Sequence, residues 1–114
     1  MKLKDWINRL LYDTISDSII AFCFNIYETD SDTDFDVQLV GCTKYDPDND
    51  DWACETDYSS EEDLYSFQAD DWEDAMEKFG KELNDYLQSP ECHDQLKKRH
   101  IAYGFVDGDL EYIC

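Results

Sequence analysis

SIIAFCFNIYETDSDTDFDVQLVGCTK, residues 18–44, is the stretch on which the fold turns. Residues 18–27 are a nearly unbroken apolar run rich in β-branched and aromatic side chains, the pattern of a strand buried on both faces and placed centrally in a sheet. The polar ETDSDTD run that follows reads as a hairpin-type loop. Residues 35–44 return as a second strand, with Phe35, Val37 and Leu39 on one face and Asp36, Gln38 and Val40 on the other. Gly41 interrupts the pattern and reads as a bulge.

Working outward, residues 2–15 place Leu3, Trp6, Ile7, Leu10, Leu11 and Ile15 at helical spacing opposite a charged face, which predicts an amphipathic helix lying on the core. After the hairpin, YDPDNDD is turn chemistry, with Pro47 setting its own φ and Asp and Asn side chains serving local backbone donors. Residues 52–58 (WACETDY) read as a third strand, Trp52, Cys54, Thr56 and Tyr58 on one side. Residues 59–69 read as loop, a short strand over 64–67 remaining open. Asp70 or Asp71 caps a helix to about residue 88, whose stripe of Trp72, Ala75, Met76, Phe79, Leu83, Tyr86 and Leu87 faces the core. Pro90 opens a further short helix to about residue 98, its basic end at Lys97, Lys98 and Arg99 suited to a helix C-terminus or to local salt bridges. The final HIAYGFVDGDLEYIC is two strands joined at Asp107-Gly108, a hairpin signal.

With 114 residues the chain suits one domain, 1–114. The expectation is an α+β fold in the order α-β-β-β-α-α-β-β, with a largely antiparallel, twisted sheet of about five strands covered by helices.

The charge is concentrated. Residues 28–74 hold 18 carboxylates against a single lysine, Lys44, and so carry −17 of the chain's net −20. Such crowding opposes compaction, so a folded domain that keeps it is expected to gain a partner of opposite charge; the plain alternative is a solvating face. Phe35, Tyr45, Trp52, Tyr58, Tyr65, Phe67 and Trp72 sit among these acids, and Tyr and Trp are interface anchors, whereas solvating tails are poor in aromatics. Nucleic acid and anionic membranes are excluded as partners by the need to neutralise phosphate. The first residues do not read as a secretory signal, no apolar run is long enough to span a membrane, and five cysteines without a CxxC read as reduced thiols, so the expected compartment is the cytoplasm.

Catalytic and metal patterns fail on their own terms. An EF-hand loop beginning at Asp30 needs Gly at its sixth position and Glu at its twelfth, where this chain has Phe35 and Gly41. His93 and His100 are the only histidines, and Cys92 beside His93 in sequence makes no dyad on a helix. No GxGxxG or GxxxxGK is present. The expectation is no enzyme, no cofactor and no dedicated metal site.

Three stretches, IIAFCFNIYE, VQLVGCTKYDPDNDDWACE and IAYGFVDGDLEYI, resemble the small acidic immunity proteins encoded beside toxins in bacterial polymorphic-toxin and contact-dependent inhibition systems. The resemblance implies a cytoplasmic inhibitor of one cognate toxin domain, covering its active site or substrate groove, with no catalytic residues to carry over. The residue reading is compatible: a nuclease presents a basic groove, and carboxylates can occupy its phosphate sites. On this reading Asp46, Asp48, Asp50, Asp51, Glu55 and Asp57 supply paired charges, Asp30, Asp32 and Asp34 flank them, and Trp52 and Tyr58 are anchors unless they pack in the core. The expected partner is a toxin domain with a basic surface, and the inhibitor a monomer or weak dimer. A nucleic-acid mimic that inhibits a DNA- or RNA-binding protein, or a general acidic interaction domain, are the alternatives.

Overall fold

The computed structural model describes residues 2–11, 16–46, 48, 52, 57–60, 63–90, 96, 99–105, 108 and 110–113. The apolar run becomes β1 (Ala21–Glu28) and the return strand β2 (Asp34–Cys42). They pair antiparallel in unbroken register from Ala21 opposite Cys42 to Glu28 opposite Phe35. Ahead of them lies α1 (Leu3–Leu10). Beyond them, β3 (Tyr58–Ser59) and β4 (Tyr65–Gln68) share the outer edge of β2, β3 against Val40 and Gly41 and β4 against residues 34–37. After α2 (Trp72–Gln88), β5 (His100–Phe105) pairs with β1 and turns back into β6 (Glu111–Tyr112).

The result is a single α+β domain with a mostly antiparallel mixed sheet, β1 at its centre. One pairing is parallel, β1 with β5. The reason is topological: β4 runs in the same sense as β1, and α2 returns the chain so that β5 enters in that sense again.

Strand alternation sorts the sheet into two faces. On one, Phe22, Phe24, Ile26, Phe35, Val37 and Leu39 pack with Trp6 and Ile7 of α1 and Phe79 and Leu83 of α2. Polar tips along this core are satisfied. The Tyr86 hydroxyl donates to Asn8 Oδ1 at 2.9 Å, joining the helices, Tyr65 donates to Glu82 Oε1 at 2.7 Å, and the Trp6 indole donates to the Asp63 carbonyl at 3.0 Å. Burial raises the Tyr65 hydroxyl's pKa well above the ordinary tyrosine range, reinforced by the hydrogen bond to Glu82 and that carboxylate's charge. Asp71 is the cap of α2, its Oδ1 accepting from the Asp74 N–H at 2.8 Å, while Asp74 in turn accepts from the Asp70 N–H at 2.9 Å.

On the other face, Ala21, Cys23, Val40, Cys42 and Ala102 lie beneath Trp52, with Tyr45, Leu110 and Tyr112 packed around them. This second core covers only the end of the sheet near Cys42.

Several sequence expectations are corrected. β1 is buried on both faces through Phe24; past that point burial alternates, Asn25 and Tyr27 being half-buried. Gly41 is no bulge, since it sits in register opposite Phe22. It is needed for close packing, because a Cβ there would meet Ile19 Cγ2 at 2.9 Å. Trp52 and Asp57 lie in no strand, and of the strand expected over 52–58 only Tyr58, which opens β3, is in a strand among the described residues; residues 53–56 lie outside them. The open possibility at 64–67 is realised as β4. Of the helix expected after Pro90, Leu96 is helical and buried, and residues 91–95, 97 and 98 lie outside the described residues. Arg99 is buried, its Nε donating to the Ile19 carbonyl at 2.7 Å and its Nη2 to that of Ser16 at 3.1 Å. It ties the start of β5 to the loop before β1. Trp72 leaves the helix stripe and is 58% exposed.

Candidate functional site

Each strand end of the β1–β2 pair carries acids, and the two groups do not meet. Asp30, Asp32 and Asp34 belong to the hairpin end, while Asp46, Asp48 and Asp57 belong to the opposite end, beyond Cys42. The nine residues of β2 separate them by roughly 26 Å at the usual strand rise.

At the Cys42 end the acids serve local structure. Asp46 Oδ1 accepts from the Asp48 N–H at 2.9 Å, and Asp57 Oδ2 accepts from the Thr43 N–H at 3.2 Å and the Thr43 hydroxyl at 3.0 Å. The first is a turn bond of the kind that Asp makes in loops; the other two tie residue 57 to the end of β2, fourteen residues earlier. Asp50, Asp51 and Glu55 lie outside the described residues. The two aromatic candidates are structural and lie on opposite faces. Trp52, 4% exposed, donates its indole N–H to the Tyr112 hydroxyl at 3.3 Å. Tyr58 packs edge-on against Phe22 with ring centroids 6.3 Å apart, its hydroxyl reaching the Leu10 carbonyl at 3.5 Å. A strand over 52–58 would have put both on one side; with Trp52 outside any strand, that alternation does not apply.

The hairpin end is assembled differently. β4 lies against the first residues of β2, and α2 starts a few residues later, so residues 66–74 are carried to the loop that joins β1 to β2. Asp34 and Asp36 project from β2 onto the second sheet face beside Ser66 and Gln68, on the half that no described residue roofs. There Gln68 Nε2 donates to Asp34 Oδ1 at 3.0 Å and the Ser66 hydroxyl to Asp36 Oδ1 at 2.6 Å. Thr29, Asp34, Asp36, Ser66 and Gln68 rim an open depression of about 480 Å³. Thr29 also borders a second concavity, about 250 Å³, lined by Glu28, Asp32, Phe35, Asp70, Asp71 and Trp72.

The electrostatics of this end are one-sided. Among the described residues no Lys or Arg pairs with Glu28, Asp30, Asp32, Asp34, Asp36, Asp70 or Asp71. Lys78, the nearby cation, is engaged with Asp74 at 3.2 Å. The Asp74 carboxyl lies below the usual carboxylate range because it accepts the Asp70 N–H and, secondarily, the Lys78 ammonium.

Asp32 and Asp34 are thus the sequence candidates that line these concavities with further acids, and Asp30 lies beside them in the same exposed loop. Glu28, Asp36, Asp70, Asp71 and Trp72 complete that surface and were not singled out as site residues from the sequence. The sequence marked Asp70-Asp71-Trp72 as a helix cap and first turn, but not that this turn stands at the end of the sheet. Among the described residues no group of three or more His, Cys, Asp or Glu side chains is arranged to hold a metal ion, and no helix is long and apolar enough to cross a membrane. No protein-family model, curated protein or solved structure matches this chain.

Proposed function

We propose that this protein is an immunity-type inhibitor, acting in the cytoplasm, that binds a bacterial toxin domain and covers a basic active site or substrate groove. The observation that carries the reading is the convergence of acids from two separate segments, residues 28–36 and 70–71, onto one end of the sheet with no Lys or Arg paired to them among the described residues. Keeping them together costs folding stability through self-repulsion, and a cationic protein surface offsets that cost on binding. Opposite potentials also accelerate capture, to about 10⁸–10⁹ M⁻¹s⁻¹ at low salt, which suits an inhibitor of a lethal enzyme. The reading moves the contact surface from Asp46, Asp48 and Asp57 at the Cys42 end, where the Asp46 and Asp57 carboxylates accept hydrogen bonds from the fold, to Asp30, Asp32, Asp34, Asp36, Asp70 and Asp71.

Co-expression with the product of the neighbouring gene tests this. Copurification, rescue of growth and binding that weakens steeply with salt are expected. A chain that neither binds nor protects, or that binds with no salt dependence, refutes the proposal.

A further inference from the structure

We propose that Trp72 is the seat of an arginine side chain presented by the partner, the guanidinium lying over the indole and forking to the carboxylates of Asp32, Asp70 and Glu28. This deepens the inhibitor reading and rests on it for the partner's identity.

The three tryptophans of the chain fall into two kinds. Trp6 and Trp52 are 0% and 4% exposed, and each donates its indole N–H within the fold. Trp72 is 58% exposed and makes no hydrogen bond among the described residues. It lines the smaller concavity together with Phe35, Glu28, Asp32, Asp70 and Asp71. At about 250 Å³ this concavity falls below the roughly 300–1,000 Å³ of small-molecule sites, and suits a single inserted side chain. Glu28, Asp32 and Asp70 have carboxylates with no hydrogen bond or ion pair among the described residues, so the charge beside the ring is unspent.

An apolar ring bordered by carboxylates selects for a group that is both cationic and flat. Tryptophan is the strongest aromatic partner for a cation. Arginine stacks on the ring with its weakly hydrated plane and still presents N–H groups at the edge for two carboxylates, whereas the lysine ammonium is a compact, strongly hydrated point charge. The molecule already holds one guanidinium over a ring, Arg99 lying 5.5 Å from the centroid of Phe22 while its N–H groups are donated elsewhere.

The test uses the full chain and two probes, a tetra-arginine and a tetra-lysine peptide of equal charge, titrated by calorimetry at low salt. The parent is expected to bind the arginine peptide at least about threefold more tightly than the lysine peptide. Trp72→Ala abolishes that preference and Trp72→Phe retains part of it, with thermal melts confirming that both variants are folded. Equal affinity for the two peptides, no binding of either, or a preference that survives in Trp72→Ala overturns the proposal. Because no toxin enters the measurement, failure here leaves the inhibitor reading standing, and failure to copurify with the neighbouring gene product leaves the arginine seat standing.

Discussion

The second face of the sheet is two surfaces on the same strands. Near Cys42, the alternating positions of β1, β2 and β5 are Ala21, Cys23, Val40, Cys42 and Ala102, and Trp52 with Tyr45 and Tyr112 closes over them. Toward the hairpin, the same alternation presents Asn25, Tyr27, Asp34, Asp36 and Gln38, and β4 adds Ser66 and Gln68. Small apolar residues at one end invite an aromatic roof; polar and charged ones at the other leave the backbone ladder covered only by side chains that prefer water. The roofed end contributes to stability and the open end to surface charge. A single register yields both because the pleat fixes which residues share a face and leaves their chemistry free to change along the strand.

The comparison breaks if the roof is not core. Trp52→Ala should cost about 3–5 kcal/mol of folding stability, read from urea denaturation, while leaving partner binding intact once the protein is folded. A variant as stable as the parent would mean that the covered half is covered by something else.

A smaller effect is expected where the sheet face is packed tightly enough to require a glycine. Gly41→Ala should destabilise by roughly 1–3 kcal/mol through overpacking against Ile19, with the denaturation slope unchanged.

The helix-covered face supplies a reference that depends on pH. The folded Tyr65 hydroxyl holds its proton more tightly than the unfolded one, so its stabilising contribution is fully present below about pH 10 and is lost as pH rises above that value. Tyr65→Phe should cost about 1 kcal/mol near neutrality, for the hydrogen bond to Glu82. It should also show a shallower alkaline loss of stability than the parent, measured as denaturation midpoints between about pH 7 and about pH 11. Parallel curves for the two proteins would dissociate Tyr65 from that loss.

The smallest stability effect belongs to the open half. Asp34→Asn with Asp36→Asn should change folding stability by no more than about 0.5 kcal/mol, while slowing association with a basic partner in a salt-dependent way. A large loss of stability would show that this half is structural after all.

The three elements on which the fold is built were legible because their signals are local. The residue 18–27 run marked a central strand, the alternation of Phe35, Val37 and Leu39 marked its antiparallel neighbour, and the cap and stripe from Asp71 to Leu87 marked a long helix. Trp72 was misread because helical spacing places it on the same stripe as Ala75, Met76 and Phe79, and spacing alone carries no information about where a sheet ends beneath a helix. Tyr58 and Trp52 were misplaced for a similar reason: alternation counts only while the chain stays in one strand. Within the acid-rich segment, composition alone did not distinguish the aspartates that accept backbone N–H groups, such as Asp46 and Asp57, from those that face outward without a cation.

What the amino-acid order determined by itself was β1, β2 and the long helix α2, the faces of the β2 residues and the excess of negative charge, since these follow from periodicity and composition within short windows. What the tertiary structure decided was the parallel pairing of β1 with β5, the roof of Trp52 over one half of a sheet face, and the meeting of residues 28–36 with 70–72. Those are contacts between segments far apart in the chain, and they arise because burying both helices on one face of the sheet leaves the chain few ways to return.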